Sequence, residues 1–152
     1  MFDIRRATVD DVATIAEHRF QMFLDSAQAT SEAMAGMQER FEAWVTPKLK
    51  AGTYLGWLAV DGDVIVGGSG LWLMDFPPHW MDPQNIRAYL LNFYVVPSHR
   101  GQGIAPRMLR LAVGEAHRRG IKVVTLHASK FGRPVYEKNG FKPTNEMMLR
   151  ES

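Results

Sequence analysis

Val95-Val96-Pro97-Ser98-His99-Arg100-Gly101-Gln102-Gly103-Ile104-Ala105 is the stretch on which the reading of this chain turns. Ahead of it runs an apolar segment, Leu90, Leu91, Phe93 and Tyr94, which continues through Val96 and stops at Pro97. Behind it Ile104, Met108, Leu111 and Ala112 recur at helical spacing. A strand, a basic glycine turn and a helix, in that order, form an anion site. The glycines let the backbone approach a ligand closely, and the first N–H groups of the helix have no intrahelical partner. A diphosphate suits such a cradle.

Two familiar phosphate loops are excluded. No Lys-Ser or Lys-Thr follows these glycines, as a Walker A loop requires, and Pro106 stands where the dinucleotide fingerprint needs its third glycine. The order Arg100-Gly101-Gln102-Gly103-Ile104-Ala105 instead resembles the acyl-CoA loop R/Q-x-x-G-x-G/A of the GNAT N-acetyltransferase superfamily. Further along, Tyr136-Glu137-Lys138-Asn139-Gly140-Phe141 resembles that family's Y-E-x-x-G-F segment.

The resemblance implies acetyl-CoA as co-substrate and acyl transfer to an amine. It implies that backbone N–H groups of Arg100, Gly101, Gln102, Gly103, Ile104 and Ala105 hold the diphosphate. Backbone groups at Tyr94, Val95 and Val96 would pair with pantetheine and polarise the thioester oxygen. Tyr136 matches the family tyrosine that protonates the departing thiolate, and a phenol with an ordinary pKa of about 10 holds its proton at neutrality. Arg100, Arg107 and Lys130 are candidate phosphate partners. The chain departs from the family pattern at two places. Ser129 stands where many members have asparagine and is expected to bond pantetheine in its stead. The segment Ala88 to Val96 carries no carboxylate, with Tyr89 and Asn92 at the expected positions. The general base is therefore a strand-bound water, His127 or His79, of which the imidazoles titrate in the useful range.

With 152 residues the chain is expected to form a single domain, 1–152. It has no cysteine, hence no disulfide, thiolate metal site or cysteine nucleophile, and no metal site is expected. No apolar run is long enough to span a bilayer and no signal-peptide core is seen, so a cytoplasmic enzyme is expected. Residues 1–87 hold 7 Lys/Arg against 12 Asp/Glu, and residues 88–152 hold 11 against 4. The basic half contains the glycine loop, which suits an anionic co-substrate. No nucleic-acid motif accompanies it, so neither nucleic acid nor membrane is expected as a partner.

Along the chain, Phe2 to Arg6 reads as a strand, and Thr8-Val9-Asp10-Asp11 as a capping box ahead of a helix. A second helix is expected over 31–50, shortened by Pro47. Strands 54–60 and 64–74 are joined by Asp61-Gly62-Asp63, a hairpin signal. Gly67, Gly68 and Gly70 point to a bulge or close backbone approach. A loop over 75–87, a strand over 88–96, a helix over 104–119, a strand over 122–127, a helix over 132–139 and a last strand over 141–149 complete the set. The fold class is mixed α/β (α+β mixed sheet), in the order β-α-α-β-β-β-α-β-α-β. The resemblance implies that strands 88–96 and 122–127 splay to admit pantetheine.

For the acceptor, Phe20, Met22, Phe23, Trp44 and Trp72 are candidate pocket residues. The proline-flanked loop adds Asp75, Phe76, His79, Trp80 and Met81, with Asp75 and Asp82 able to attract an ammonium group. A small, partly hydrophobic primary amine is expected. The alternatives are a protein or peptide acceptor, or a non-catalytic acyl-CoA-binding module. A homodimer is the expected assembly.

Overall fold

The computed structural model describes residues 1–130 and 132–151. Its frame is a five-stranded sheet in the order β1-β2-β3-β4-β5, with β1 Asp3–Arg6, β2 Tyr54–Asp61, β3 Val64–Asp75, β4 Ile86–Val95 and β5 Val124–Leu126. The first four strands pair antiparallel, and β5 pairs parallel to β4. The helices are α1 Val12–Asp25, α2 Met37–Ala51, α3 Ile104–Arg118 and α4 Arg133–Lys138.

β2 shows why the sheet lies between layers. Its alternate residues Leu55 and Trp57 join a core with Leu109, Ala112 and Ala116 of α3, while Tyr54 and Leu58 join Ile15 and Ala16 of α1 and Phe41 and Val45 of α2. A strand covered on both faces reads as a continuous apolar run, and Tyr54-Leu55-Gly56-Trp57-Leu58-Ala59 is one. The hairpin falls where Asp61-Gly62-Asp63 places it, with Gly62 at φ +63°.

At the entry to α1 the capping box forms. Thr8 N–H donates to Asp11 Oδ2 at 2.8 Å and Asp10 N–H to Thr8 Oγ1 at 3.3 Å. Arg5 closes on the same carboxylate at 2.9 Å and, as the largest influence, holds the Asp11 pKa below its ordinary value. α2 begins six residues later than the sequence suggests. Residues 31–36 form turns, and Gly36 at φ +76° breaks them from the helix. Pro47 does not end α2, which runs on to Ala51 and stops at Gly52, φ +77°.

The last strand expected over 141–149 is not formed; residues 141–151 carry no strand or helix. Pro143 lacks a ladder donor, and Met147, Met148 and Leu149 are consecutive apolar residues without the alternation that would give a strand one buried face. All three are exposed.

β3 carries the glycines for reasons of space. A Cβ on Gly68 would stand 2.7 Å from His18 Nδ1, one on Gly67 2.9 Å from the Tyr94 carbonyl oxygen, and one on Gly70 would collide with the Tyr54 hydroxyl. Opposite them β4 bulges. Gly70 faces Leu91 and Gly68 faces Tyr94, so Asn92 and Phe93 together stand opposite Ser69, with Asn92 at φ +61°. We expect Gly70→Ala to cost about 1–3 kcal/mol through overpacking, read as a lower urea midpoint with an unchanged slope; an unchanged midpoint would show that the sheet and Tyr54 are not packed this closely.

Candidate functional site

β4 and β5 pair only through Ala88–Val124, Tyr89–Thr125 and Leu90–Leu126. β4 then continues to Val95 while the β5 segment leaves the sheet after Leu126, and a gap opens between them. The groove in this gap, about 380 Å³, is lined by Asn92 to Val95 of β4, by Ala105 of α3, and by Ala128, Ser129, Gly132 and Tyr136.

At the mouth of the groove lies the glycine loop. Gly101 and Gly103 take φ +77° and +84°, and a Cβ on either would meet nothing within 4 Å. Backbone conformation, not crowding, is what calls for glycine there. Gly103 is the N-cap of α3 and no side chain caps that helix. Its first-turn N–H groups are therefore available to an anion without competition from a cap. Ile104 is buried and anchors the turn in the core with Ala59, Val66 and Met108.

Other expected contacts are more mixed. Val96 N–H donates to the Val66 carbonyl at 2.9 Å, so it belongs to the sheet and not to pantetheine. The pleat then turns the groups of Val95 to the opposite side, toward the gap. The Val95 carbonyl there accepts Arg100 Nε at 2.8 Å, which leaves its N–H as the donor facing the groove. Arg100 also donates to Asp25 Oδ2 at 2.9 Å and lies over the Tyr94 ring. Its side chain ties the glycine loop to the end of α1, a different role from the phosphate contact the sequence suggests. The guanidinium of Arg107 lies 5.4 Å from the centre of the Phe2 ring. Ser129 lines the groove while accepting Gly132 N–H at 3.1 Å.

Tyr136 lines the same groove, with Phe93 and Phe141 set edge-on to its ring at 6.2 and 5.8 Å. Burial pushes its pKa up to about 12. The phenol is thus a firmly protonated donor at neutral pH.

A second cavity of about 570 Å³ lies between the sheet and helices α1 and α2, with walls including Phe41, Trp44, Trp72 and Met74. Trp44 and Trp72 meet edge to face at 5.1 Å. Of the residues expected for the acceptor, Phe23, Trp44 and Trp72 line this cavity, and Met22 lines the groove. Asp75, Phe76, His79 and Trp80 line neither. Their loop folds on itself, with His79 and Asp82 exchanging backbone hydrogen bonds at 2.9 and 3.0 Å and Phe76 N–H donating to Asn85. Asp82 is buried because it accepts the N–H of Lys122 at 2.8 Å and of Gln84 at 3.1 Å, and these bonds hold its carboxyl below the usual range. Asp82 fastens the loop to the start of the β5 segment, and Trp80 is left in solvent, 87% exposed.

The roles of three groups were invisible in the linear pattern. Asn92, at the bulge, accepts Arg19 Nη1 at 2.8 Å and donates from Nδ2 to the Tyr54 hydroxyl at 2.9 Å. Arg19 reaches it from α1, across 73 positions of sequence. Glu146, on the C-terminal segment, touches His127 Nε2, whose Nδ1 in turn touches the Tyr89 hydroxyl. Burial raises the Tyr89 pKa, opposed by the charge of Arg19.

Comparison with known proteins fits this geometry. The acetyltransferase (GNAT) family profile matches residues 12–141. A GCN5-related N-acetyltransferase from Ralstonia eutropha is 36% identical, with a TM-score of 0.94 over 99% of both chains. A predicted acetyltransferase from Clostridium acetobutylicum, solved with acetyl-CoA, is 30% identical, with a TM-score of 0.90 over 99% of this chain and 96% of that one. Glucosamine-6-phosphate N-acetyltransferase from Arabidopsis thaliana shares the fold at 14% identity, TM-score 0.69, over 99% and 98% of the two chains. No curated protein matches the sequence. The fold, with a gap between its parallel strands beside the glycine loop and the uncapped start of α3, is that of an acetyltransferase. The chain belongs to the GNAT acetyltransferase family, whose acetyl donor is acetyl-CoA. Among the described residues no helix is long and apolar enough to cross a membrane.

His18 is buried, its ring 5.3 Å from that of Tyr94, which lines the groove. Burial lowers its pKa, with Glu17 pulling weakly the other way. Unfolded, a histidine takes up a proton below about pH 6.5; folded, this one resists. Its contribution to stability is complete above that pH and is lost as the pH falls through the lowered folded value. We expect the native protein to lose more stability in urea between about pH 8 and about pH 5.5 than His18→Gln does; equal losses would show that His18 is not held neutral.

Proposed function

We propose that the protein transfers the acetyl group of acetyl-CoA to the primary amine of a small, partly hydrophobic molecule. The observation that carries this reading is that the two cavities meet. Arg19, Phe23, Tyr89, Leu91 and His127 line both. A donor arm in the strand gap and an acceptor between the sheet and α2 would face each other across Tyr89.

An alkyl amine is an ammonium ion at neutral pH and must lose a proton before it attacks. Tyr89, His127 and Glu146 form a chain suited to that task. With the Glu146 carboxylate accepting from His127 Nε2–H, Nδ1 carries the lone pair and accepts the Tyr89 O–H. A proton from the acceptor passes to Tyr89 Oη as the Tyr89 proton passes to Nδ1, and Glu146 stabilises the imidazolium. His127 is the general base of this proposal, and the strand needs no carboxylate of its own. Bound acetyl-CoA supplies the acetyl group as an activated thioester. The N–H of Val95 polarises an oxygen lying in the groove, and first-turn N–H groups of α3 hold phosphate. Tyr136 holds its proton at Oη for the departing sulfur. Desolvation that raises a phenol also raises a thiol, so the two shifts run in the same direction.

The aromatic walls of the cavity, Phe41, Trp44 and Trp72, favour a small, partly hydrophobic acceptor. The expected homodimer remains part of the proposal: Met147, Met148 and Leu149 are 94%, 74% and 99% exposed, an apolar surface that a second copy would cover. A sedimentation mass of 17.2 kDa, one chain, overturns it.

Acetyl-CoA is expected to raise the melting temperature where ATP and NAD do not. With an accepted amine, Tyr136→Phe lowers kcat by about 100-fold or more while keeping that thermal shift. His127→Gln lowers kcat/KM at neutral pH, and the deficit narrows as rising pH deprotonates the amine without help. Binding of acetyl-CoA with full turnover in Tyr136→Phe would remove that residue from the chemistry. Binding with no turnover of any amine would leave a non-catalytic acyl-CoA module.

A further inference from the structure

The cavity beneath α2 has a sign. Its described lining holds Arg19, Arg40 and His127 and no carboxylate. Arg19 is half-buried, its guanidinium centre 4.9 Å from the centre of the Phe23 ring and 5.1 Å from that of Phe41. One of its five N–H donors serves the neutral Asn92 side chain. Arg40 donates to the Ala35 carbonyl at 3.2 Å. Among the described residues neither arginine has a carboxylate within ion-pair distance. A third cation, Lys48 Nζ, stands 4.3 Å from the centre of the Trp44 ring.

A half-buried arginine without a counter-ion carries a desolvation cost, and here the guanidinium lies against two aromatic rings. Such a pose is preorganised for a planar anion, which the guanidinium fork grips through two parallel hydrogen bonds. A purely cationic amine would enter this field against repulsion. Across the junction the polarity reverses, because Glu146 sits behind His127 and Tyr89. Arg19 and Tyr89 both border the groove as well as the cavity, so the anion site and the reacting amine lie at the same end. Phe41, Trp44 and Trp72 continue away from it as an apolar wall.

We infer that the acceptor is a zwitterionic amine of amino-acid type, with its carboxylate on Arg19, its amine at Tyr89 and an apolar or aromatic side chain against Phe41, Trp44 and Trp72. This inference rests on the transferase reading above and names the substrate class of the same site. Arg19 is its specificity-determining residue. Arg40 and Lys48 add to the field without fixing the carboxylate.

The test measures CoA release from acetyl-CoA with a panel of apolar amino acids, their decarboxylated counterparts such as phenethylamine and tryptamine, and spermidine. The free amino acid is expected to exceed its decarboxylated partner in kcat/KM by about ten- to a hundredfold, the span of one charge-assisted contact. Arg19→Met brings the ratio near one, chiefly by raising KM for the amino acid, and Arg19→Lys, which keeps the charge and loses the fork, retains part of it. The acetyl-CoA thermal shift reports that each variant is folded. Decarboxylated amines or spermidine used as well as amino acids would overturn this inference and leave the transferase intact. Retained acetyl-CoA binding with no turnover of any amine, acid or not, would overturn the transferase reading and this inference with it.

Discussion

Asn92 is the residue on which the site depends. Its left-handed backbone creates the bulge in β4, and its buried amide is held from both sides, by Arg19 of α1 and by the Tyr54 hydroxyl of β2. A non-glycine residue at positive φ is unfavourable on its own, and asparagine tolerates it better than most. The two hydrogen bonds over-determine it. The bulge then shifts the register so that Val95 turns its N–H toward the gap, and the same amide sets the pose of Arg19. One side chain thus fixes the donor strand and the acceptor cavity together.

The glycine loop, the hairpin and Tyr136 were legible in the sequence because each is a local device. Gly101 and Gly103 announce positive φ, Asp61-Gly62-Asp63 announces a turn, and the segment around Tyr136 carries a recognisable pattern. The glycines of β3 were readable as a close approach, although not what approaches them. The roles of Arg19, Asn92 and Glu146 were not legible, since each gains its meaning from partners far away in the chain. The loop over 75–87 misled for the opposite reason. Its aromatic and acidic residues look like a binding site on a line of sequence, yet Asp82 serves backbone N–H groups and Trp80 stands in water. The final strand failed because chain composition alone does not tell a paired segment from an extended one; Pro143 and the three consecutive apolar residues were the signal against it.

The absence of a carboxylate from β4 changes how proton transfer is organised. The proposed relay draws on three separate segments: a tyrosine from the central strand, a histidine just past β5 and a glutamate from the chain end. Keeping the acidic group behind the imidazole also keeps it out of the cavity, where it would neutralise the field of Arg19.

The centre of β3 has a consequence for how such a chain can change over time. Gly67, Gly68 and Gly70 leave no room for a side chain, because the Tyr94 carbonyl, His18 and Tyr54 already fill the space above them. Mutation at those positions is closed as a route to new specificity. The cavity's helical walls come from α1 and α2, where Phe23, Met37, Arg40 and Trp44 lie on helical turns that tolerate exchange for a side chain of similar volume. Variation in acceptor preference among descendants of this protein would therefore accumulate on the two helices, over a sheet that stays almost constant.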